Sequence, residues 1–133
     1  MPRTSPQQGA QQPASGRGNA SPIDHSVLEK LLCEDREAVG VVLRQFRSSC
    51  PGDASALGAA LSRNDNKGAL RWAHRLKGGC QMVGAARLAE VCERVEGAVR
   101  AGDSGLTAQA VADIEFEAGR ITGYLDAWLK ANT

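Results

Sequence analysis

From Ile23 to Leu129 the large aliphatic residues recur at three- and four-residue steps, and no stretch alternates apolar and polar residues over the length of a strand. That period puts apolar side chains on one face of an α-helix, so the chain is expected to be all-α. Aromatic residues make up only 4% of the sequence against 42% hydrophobic. The core must therefore be built from Leu, Val, Ala and Ile, which suits packed helices better than a sheet rich in aromatics. A length of 133 residues accommodates one domain with a single core.

Asp24 or Ser26 can cap a first helix, Ser26-Val27-Leu28-Glu29 having the form of a capping box, with Val27, Leu28, Leu31 and Leu32 as its stripe. Asp35 can cap a second, carrying Val39, Val42, Leu43 and Phe46, which Pro51-Gly52 is expected to end. A third passes through Leu57, Ala60 and Leu61. The fourth spans about 66–83, with Gly84 as its C-terminal signal. The fifth carries Leu88, Val91, Cys92, Val95 and Val99 as far as Ala101-Gly102-Asp103, and the sixth runs from Thr107 through Val111, Ile114, Ile121, Leu125 and Leu129. Short connections imply antiparallel neighbours. The expected architecture is an antiparallel up-and-down four-helix bundle with additional short N-terminal helices. Residues 1–20 hold Pro, Gly, Ser and Gln, no acid and no large aliphatic after Met1. They read as a flexible linker ahead of a domain at 21–133, as if the chain were a piece of a longer protein.

Sixteen basic and fifteen acidic residues leave a formal charge of +1, which gives no general electrostatic footprint for nucleic acid. No run of 18 apolar residues predicts a membrane span, and the N-terminus lacks the apolar region of a signal peptide. Cys33, Cys50, Cys80 and Cys92 contain no C-x-x-C, and neither histidine stands at a zinc-ligand interval from them. A Cys/His metal-binding bundle is thus disfavoured. Three of the four lie in helical apolar patterns, which suits reduced thiols acting as small hydrophobes in a reducing, cytoplasmic compartment.

The stretch with chemistry in it is Trp72-Ala73-His74-Arg75-Leu76-Lys77-Gly78-Gly79-Cys80-Gln81-Met82-Val83-Gly84-Ala85. At about 100° per residue, Ala69, Ala73, Leu76, Cys80 and Val83 share one arc, and His74 lies roughly 140° from its middle. His74 is expected to face solvent, with Leu70, Arg71, Lys77, Gly78 and Gln81 as its neighbours on the helix surface. Gly78 is costly inside a helix, by about 1 kcal/mol relative to alanine. Beside an exposed imidazole the missing side chain provides clearance for a partner or a phosphoryl group, and Lys77 offers a cation to offset the phosphoryl charge. A neutral imidazole is a competent nucleophile. Arg71 and Arg75 are either a solvated face or a means of steering an acidic partner, and Leu70 reads as a docking residue rather than a core one. His25, Trp72, Tyr124 and Trp128 read as structural.

The run A-H-x-L-K-G-x-x-x-x-x-G-A, followed by Leu88-Ala89-x-x-Cys92-Glu93-x-Val95-Glu96 and preceded by Leu57-x-x-Ala60-Leu61…Asp65…Leu70, resembles the signature of histidine phosphotransfer (HPt) domains. The similarity extends from about Ile23 to Leu129. A domain of this kind after a polar linker is similar to the C-terminal module of unorthodox hybrid sensor kinases, at the cytoplasmic end of a membrane-anchored protein. The resemblance implies a phosphorelay: His74 takes a phosphoryl group from an aspartate of one response-regulator receiver domain and passes it to another. Lys77 becomes the charge partner, Gly78 the clearance residue, and Glu96 the acceptor of a hydrogen bond from the ring nitrogen that is not phosphorylated; Gln81 would contact the phosphoryl group or the partner. The domain is expected to be a monomeric carrier with no cofactor of its own, the Mg²⁺ sitting in the receiver. The rival reading is an HPt-like scaffold or inhibitor that binds receivers without being phosphorylated.

Overall fold

The computed structural model describes residues 21–132; the expected linker at 1–20 lies outside the described residues. Among these, the chain forms five helices and no strand: α1 His25–Leu31, α2 Arg36–Ser62, α3 Asn66–Val83, α4 Ala86–Ala101 and α5 Ser104–Ala131. Helices α2, α3, α4 and α5 form a closed ring in which each packs on the next and α5 returns to α2, while α1 sits across α2 and α3. This is the expected antiparallel bundle with one short N-terminal helix.

Aspartates begin four of the helices. The carboxylates of Asp24, Asp35, Asp65 and Asp103 accept from the backbone N–H of Ser26, Ala38, Gly68 and Leu106 respectively, each cap contributing about 1 kcal/mol. In α1 the cap is thus Asp24, which also accepts from the Ser26 hydroxyl at 2.6 Å; Ser26 is inside the helix and does not cap it. Helix α5 begins three residues before Thr107 because Asp103, read as the end of the preceding helix, caps it.

Pro51-Gly52 does not end a helix. The second and third expected helices are one, α2, with Pro51 inside it. Phe46, Cys50, Ala54, Leu57 and Leu61 carry the buried stripe past the proline, while Pro51 and Gly52 stay on the exposed side. A proline in a helix interior costs about 3 kcal/mol. Burial of five side chains on the same helix, each worth on the order of 1 kcal/mol or more, outweighs that.

The core joins Leu43 and Leu57 of α2, Leu76 and Val83 of α3, Leu88 and Val95 of α4, and Ile114, Ile121 and Leu125 of α5, all essentially inaccessible. Cys50, Cys80 and Cys92 are fully buried and unoxidised among them, as expected of small hydrophobes. Burial pushes the Cys50 thiol up to about 11 and that of Cys92 to about 12, so both stay protonated and inert at neutral pH. Gly84 closes α3 in the left-handed region at φ +79. Its carbonyl accepts from Asp24 N–H at 2.8 Å, which ties the start of α1 to the end of α3. Among the described residues no helix is long and apolar enough to cross a membrane.

Candidate functional site

Helix α3 presents two faces. Ala69, Ala73, Leu76, Cys80 and Val83 are buried, as the helical period requires. His74 projects from the opposite side toward the α4 edge, with its side chain 80% exposed. The two adjacent glycines then separate in role. A Cβ at Gly78 would meet nothing within 4 Å, whereas at Gly79 it would stand 3.3 Å from the Phe46 ring. Gly79 therefore lets α3 approach α2. Gly78 leaves open surface one turn beyond the imidazole, and packing gives no reason for a glycine there.

Behind the ring lies Glu96 of α4, with a side chain only 8% exposed. Its Oε2 is 3.8 Å from His74 Nδ1, and its Oε1 accepts from Lys77 Nζ at 2.7 Å. The first is too long for a hydrogen bond and is an ion pair only when the ring is cationic. The second is a charge-assisted bond. Removed from water, the Glu96 carboxylate needs a cation beside it. The hydrogen bond to Glu96 in turn holds the Lys77 ammonium above the usual lysine range. The sequence reading assigned Lys77 to the phosphoryl group and Glu96 to the ring. The structure adds that the one carboxylate, Glu96, joins both basic side chains into one unit, with Lys77 directed at Glu96. His74 Nε2 has no hydrogen-bond partner among the described residues.

The surrounding residues divide. Arg75 is held by Asp53 of α2 at 3.6 Å and lies over the Trp72 ring at 5.6 Å, on the side of α3 away from α4. It is a packing residue as much as a steering one. Among the described residues the exposed Arg71 forms no ion pair, and the uncharged Gln81 makes no side-chain polar contact. Leu70, read as a docking residue rather than a core one, is half-buried: it packs against the core and keeps part of its side chain accessible. Asp53 and Trp72 had no visible link to the site, since Asp53 reaches Arg75 only across the packing of α2 on α3.

The other histidine is embedded. His25 stacks on Trp128 with ring centroids 5.3 Å apart and is hydrogen-bonded to the Tyr124 hydroxyl, so all three are junction residues as expected. Among the described residues no group of three His, Cys, Asp or Glu side chains is placed to hold a metal ion.

An exposed imidazole on the second helix of an antiparallel bundle, backed by a carboxylate on the third, defines a helical phosphotransfer module. The Hpt domain family model matches residues 41–131, which covers α2 to α5 almost entirely, and the chain belongs to that family. The histidine-containing phosphotransfer protein B (HptB) of Pseudomonas aeruginosa PAO1 has a similar solved structure, with a TM-score of 0.76 and 25% identity over 85% of this chain and 98% of that one. No curated protein matches the chain.

Proposed function

We propose that His74 is the phosphoryl carrier, taking the group from an aspartyl phosphate on one response-regulator receiver domain and passing it to the aspartate of another. The observation that carries this reading is the ring itself, 80% exposed, with Glu96 Oε2 set 3.8 Å behind Nδ1. A carboxylate on that side favours the tautomer with its proton on Nδ1 and leaves the Nε2 lone pair free. Nε2 attacks phosphorus, the N–P bond forms, and the acyl P–O bond breaks to release the donor carboxylate. The ring becomes cationic as it is phosphorylated, and Glu96 lies where it offsets that charge. Attack by the next receiver's carboxylate oxygen reverses these changes.

Lys77 keeps the Glu96 carboxylate in place from the other side, and Gly78 leaves room for the receiver's loops around the phosphoryl group. In this reading Gln81 lies within the covered surface, and any Mg²⁺ belongs to the receiver's acidic site. The domain contributes the nucleophile and its orientation, while the partner supplies the stabilisation of the transferring group.

The test is to incubate the chain with a receiver domain charged with labelled acetyl phosphate. Acid-labile, alkali-stable label should appear on the wild type and be absent from a folded His74→Gln variant. Label that persists on that variant overturns the assignment. A wild type that binds the charged receiver without taking label would favour the scaffold reading.

A further inference from the structure

The charges beside His74 are distributed unevenly along the seam between α3 and α4. The contacts of Glu96 with both His74 and Lys77 fix the antiparallel register, so the C-terminal end of α4 runs beside the N-terminal end of α3. Asn66 of α3 and Gly102 at the end of α4 accordingly line one shared depression. Lys67 stands two turns before His74 on the same face, Arg71 one turn before it, and Arg100 one turn beyond Glu96 on α4. All three are exposed, and none forms an ion pair among the described residues. In the other direction the seam carries the neutral, exposed Gln81 of α3 and, three residues before Glu96 on α4, the exposed Glu93. Glu93 is near enough to Lys77 to act on its charge. On the first side Asp103 lines the same depression and Asp65 caps α3, but Asp65 is paired with Arg63, so the three cations leave that side of the imidazole net basic, while the other is neutral to acidic.

Elsewhere on the surface the cations are mixed: among the described residues Lys30, Arg36, Arg44 and Lys130, all away from the α3–α4 seam, also form no ion pair. Arg47, Arg75, Arg87, Arg94 and Arg120 are each matched by an acid from a neighbouring helix or turn. The cations left without one beside His74 are gathered on a single side. Half-buried Leu70 lies among them, so this end combines an apolar floor with a cationic rim, the arrangement of a protein-docking surface.

Resting on the phosphocarrier reading of His74, we infer that Lys67, Arg71 and Arg100 form a basic rim that receives an acidic edge of the receiver domain, and so fixes which way round the partner sits over the imidazole. The occupant is a receiver because its acceptor aspartate must reach Nε2 and its active site is acidic. With one charged rim and one neutral end, only one of the two orientations related by a half-turn about the His74 axis matches charge with opposite charge. The opposite orientation sets acid against Glu93.

The experiment uses the full chain and a receiver domain that charges it, measuring both the dissociation constant and the transfer rate between low and high salt. Reversal of the rim in K67E/R71E/R100E should weaken binding and slow transfer by about tenfold or more at low salt, and flatten the dependence of both on ionic strength. R44E, on α2 away from the seam, should change neither, and E93K should not reproduce the loss. Wild-type affinity and salt dependence in the triple variant, with its helicity unchanged, would overturn the inference while leaving label on His74 intact. Loss of label from the wild type with rim-dependent binding would overturn only the phosphocarrier reading.

Discussion

The chain's two histidines are both on helices and have opposite surroundings. His25 is wedged at the bundle's end, stacked on Trp128 and bonded to Tyr124. Its ring nitrogen is engaged and its face covered, so it fastens α1 to α5. His74 stacks on no ring among the described residues, is 80% exposed, and has a carboxylate behind one nitrogen only. The difference arises from position on the helix and from what lies one turn away: an aromatic pair in one case, Gly78 and the Lys77–Glu96 pair in the other. A reactive imidazole here is one that the fold has left unused for packing.

The widest separation is expected when each ring is removed in turn. His74→Gln should abolish labelling and leave the helical spectrum and melting temperature unchanged. His25→Gln should keep labelling and lower the melting temperature. If both variants retain label, or both lose it with the fold intact, the contrast fails. Next in size is Gly78→Leu, which should slow transfer by roughly 10- to 100-fold, the range for misplacing reacting groups by about an ångström. Gly78→Ala, with open space around it, should stabilise the chain by about 1 kcal/mol. A normal transfer rate in the leucine variant would remove the clearance role.

On the His25 side, Gly84→Ala should destabilise the fold by roughly 1–2 kcal/mol from its left-handed backbone. A further penalty comes from the new Cβ standing 2.3 Å from the Asp24 carbonyl oxygen. Thermal unfolding measures this, and labelling of His74 should survive at temperatures where the chain is folded. The smallest effect on rate is expected for Glu96→Gln, whose amide oxygen can still accept from Lys77. Loss of one charge 3.8 Å from the ring is worth about 1 kcal/mol in a water-like medium, or roughly fivefold in rate. An unchanged rate would leave the tautomer role without support.

The Lys77–Glu96 pair carries a sign in pH as well. The Lys77 pKa is raised in the folded state, so its stabilising contribution is complete below the ordinary lysine range. It is lost only as pH climbs through the folded value above 10.5. Stability differences between wild type and Lys77→Met should accordingly be flat through neutral pH and shrink only in strong alkali.

Helix α3 was legible to the residue because its local signals agree: a helical apolar stripe from Ala69 to Val83, and Gly84 in a left-handed stop. The exposed side of His74 followed from the same stripe. Where local signals conflict with packing, the reading failed. Pro51-Gly52 is a strong local breaker, yet the buried spacing of Phe46, Cys50, Ala54 and Leu57 continues through it, and tertiary burial prevailed. The half-burial of Leu70 was not legible because a period describes one helix, whereas burial depends on the core packed against it. The Lys77–Glu96 bond and the Arg75–Asp53 pair lie across helices, so the register between them, which no single-helix pattern encodes, had to be known first.

The central claim concerns one atom, His74 Nε2, and phosphorus–proton NMR on the freshly labelled chain addresses it directly. The account predicts a single phosphohistidine whose phosphorus couples to ring protons of His74 in the pattern of an Nε2 adduct, with His25 unmodified. Phosphorus on His74 Nδ1, on the side of the Glu96 carboxylate, or on His25, would contradict it.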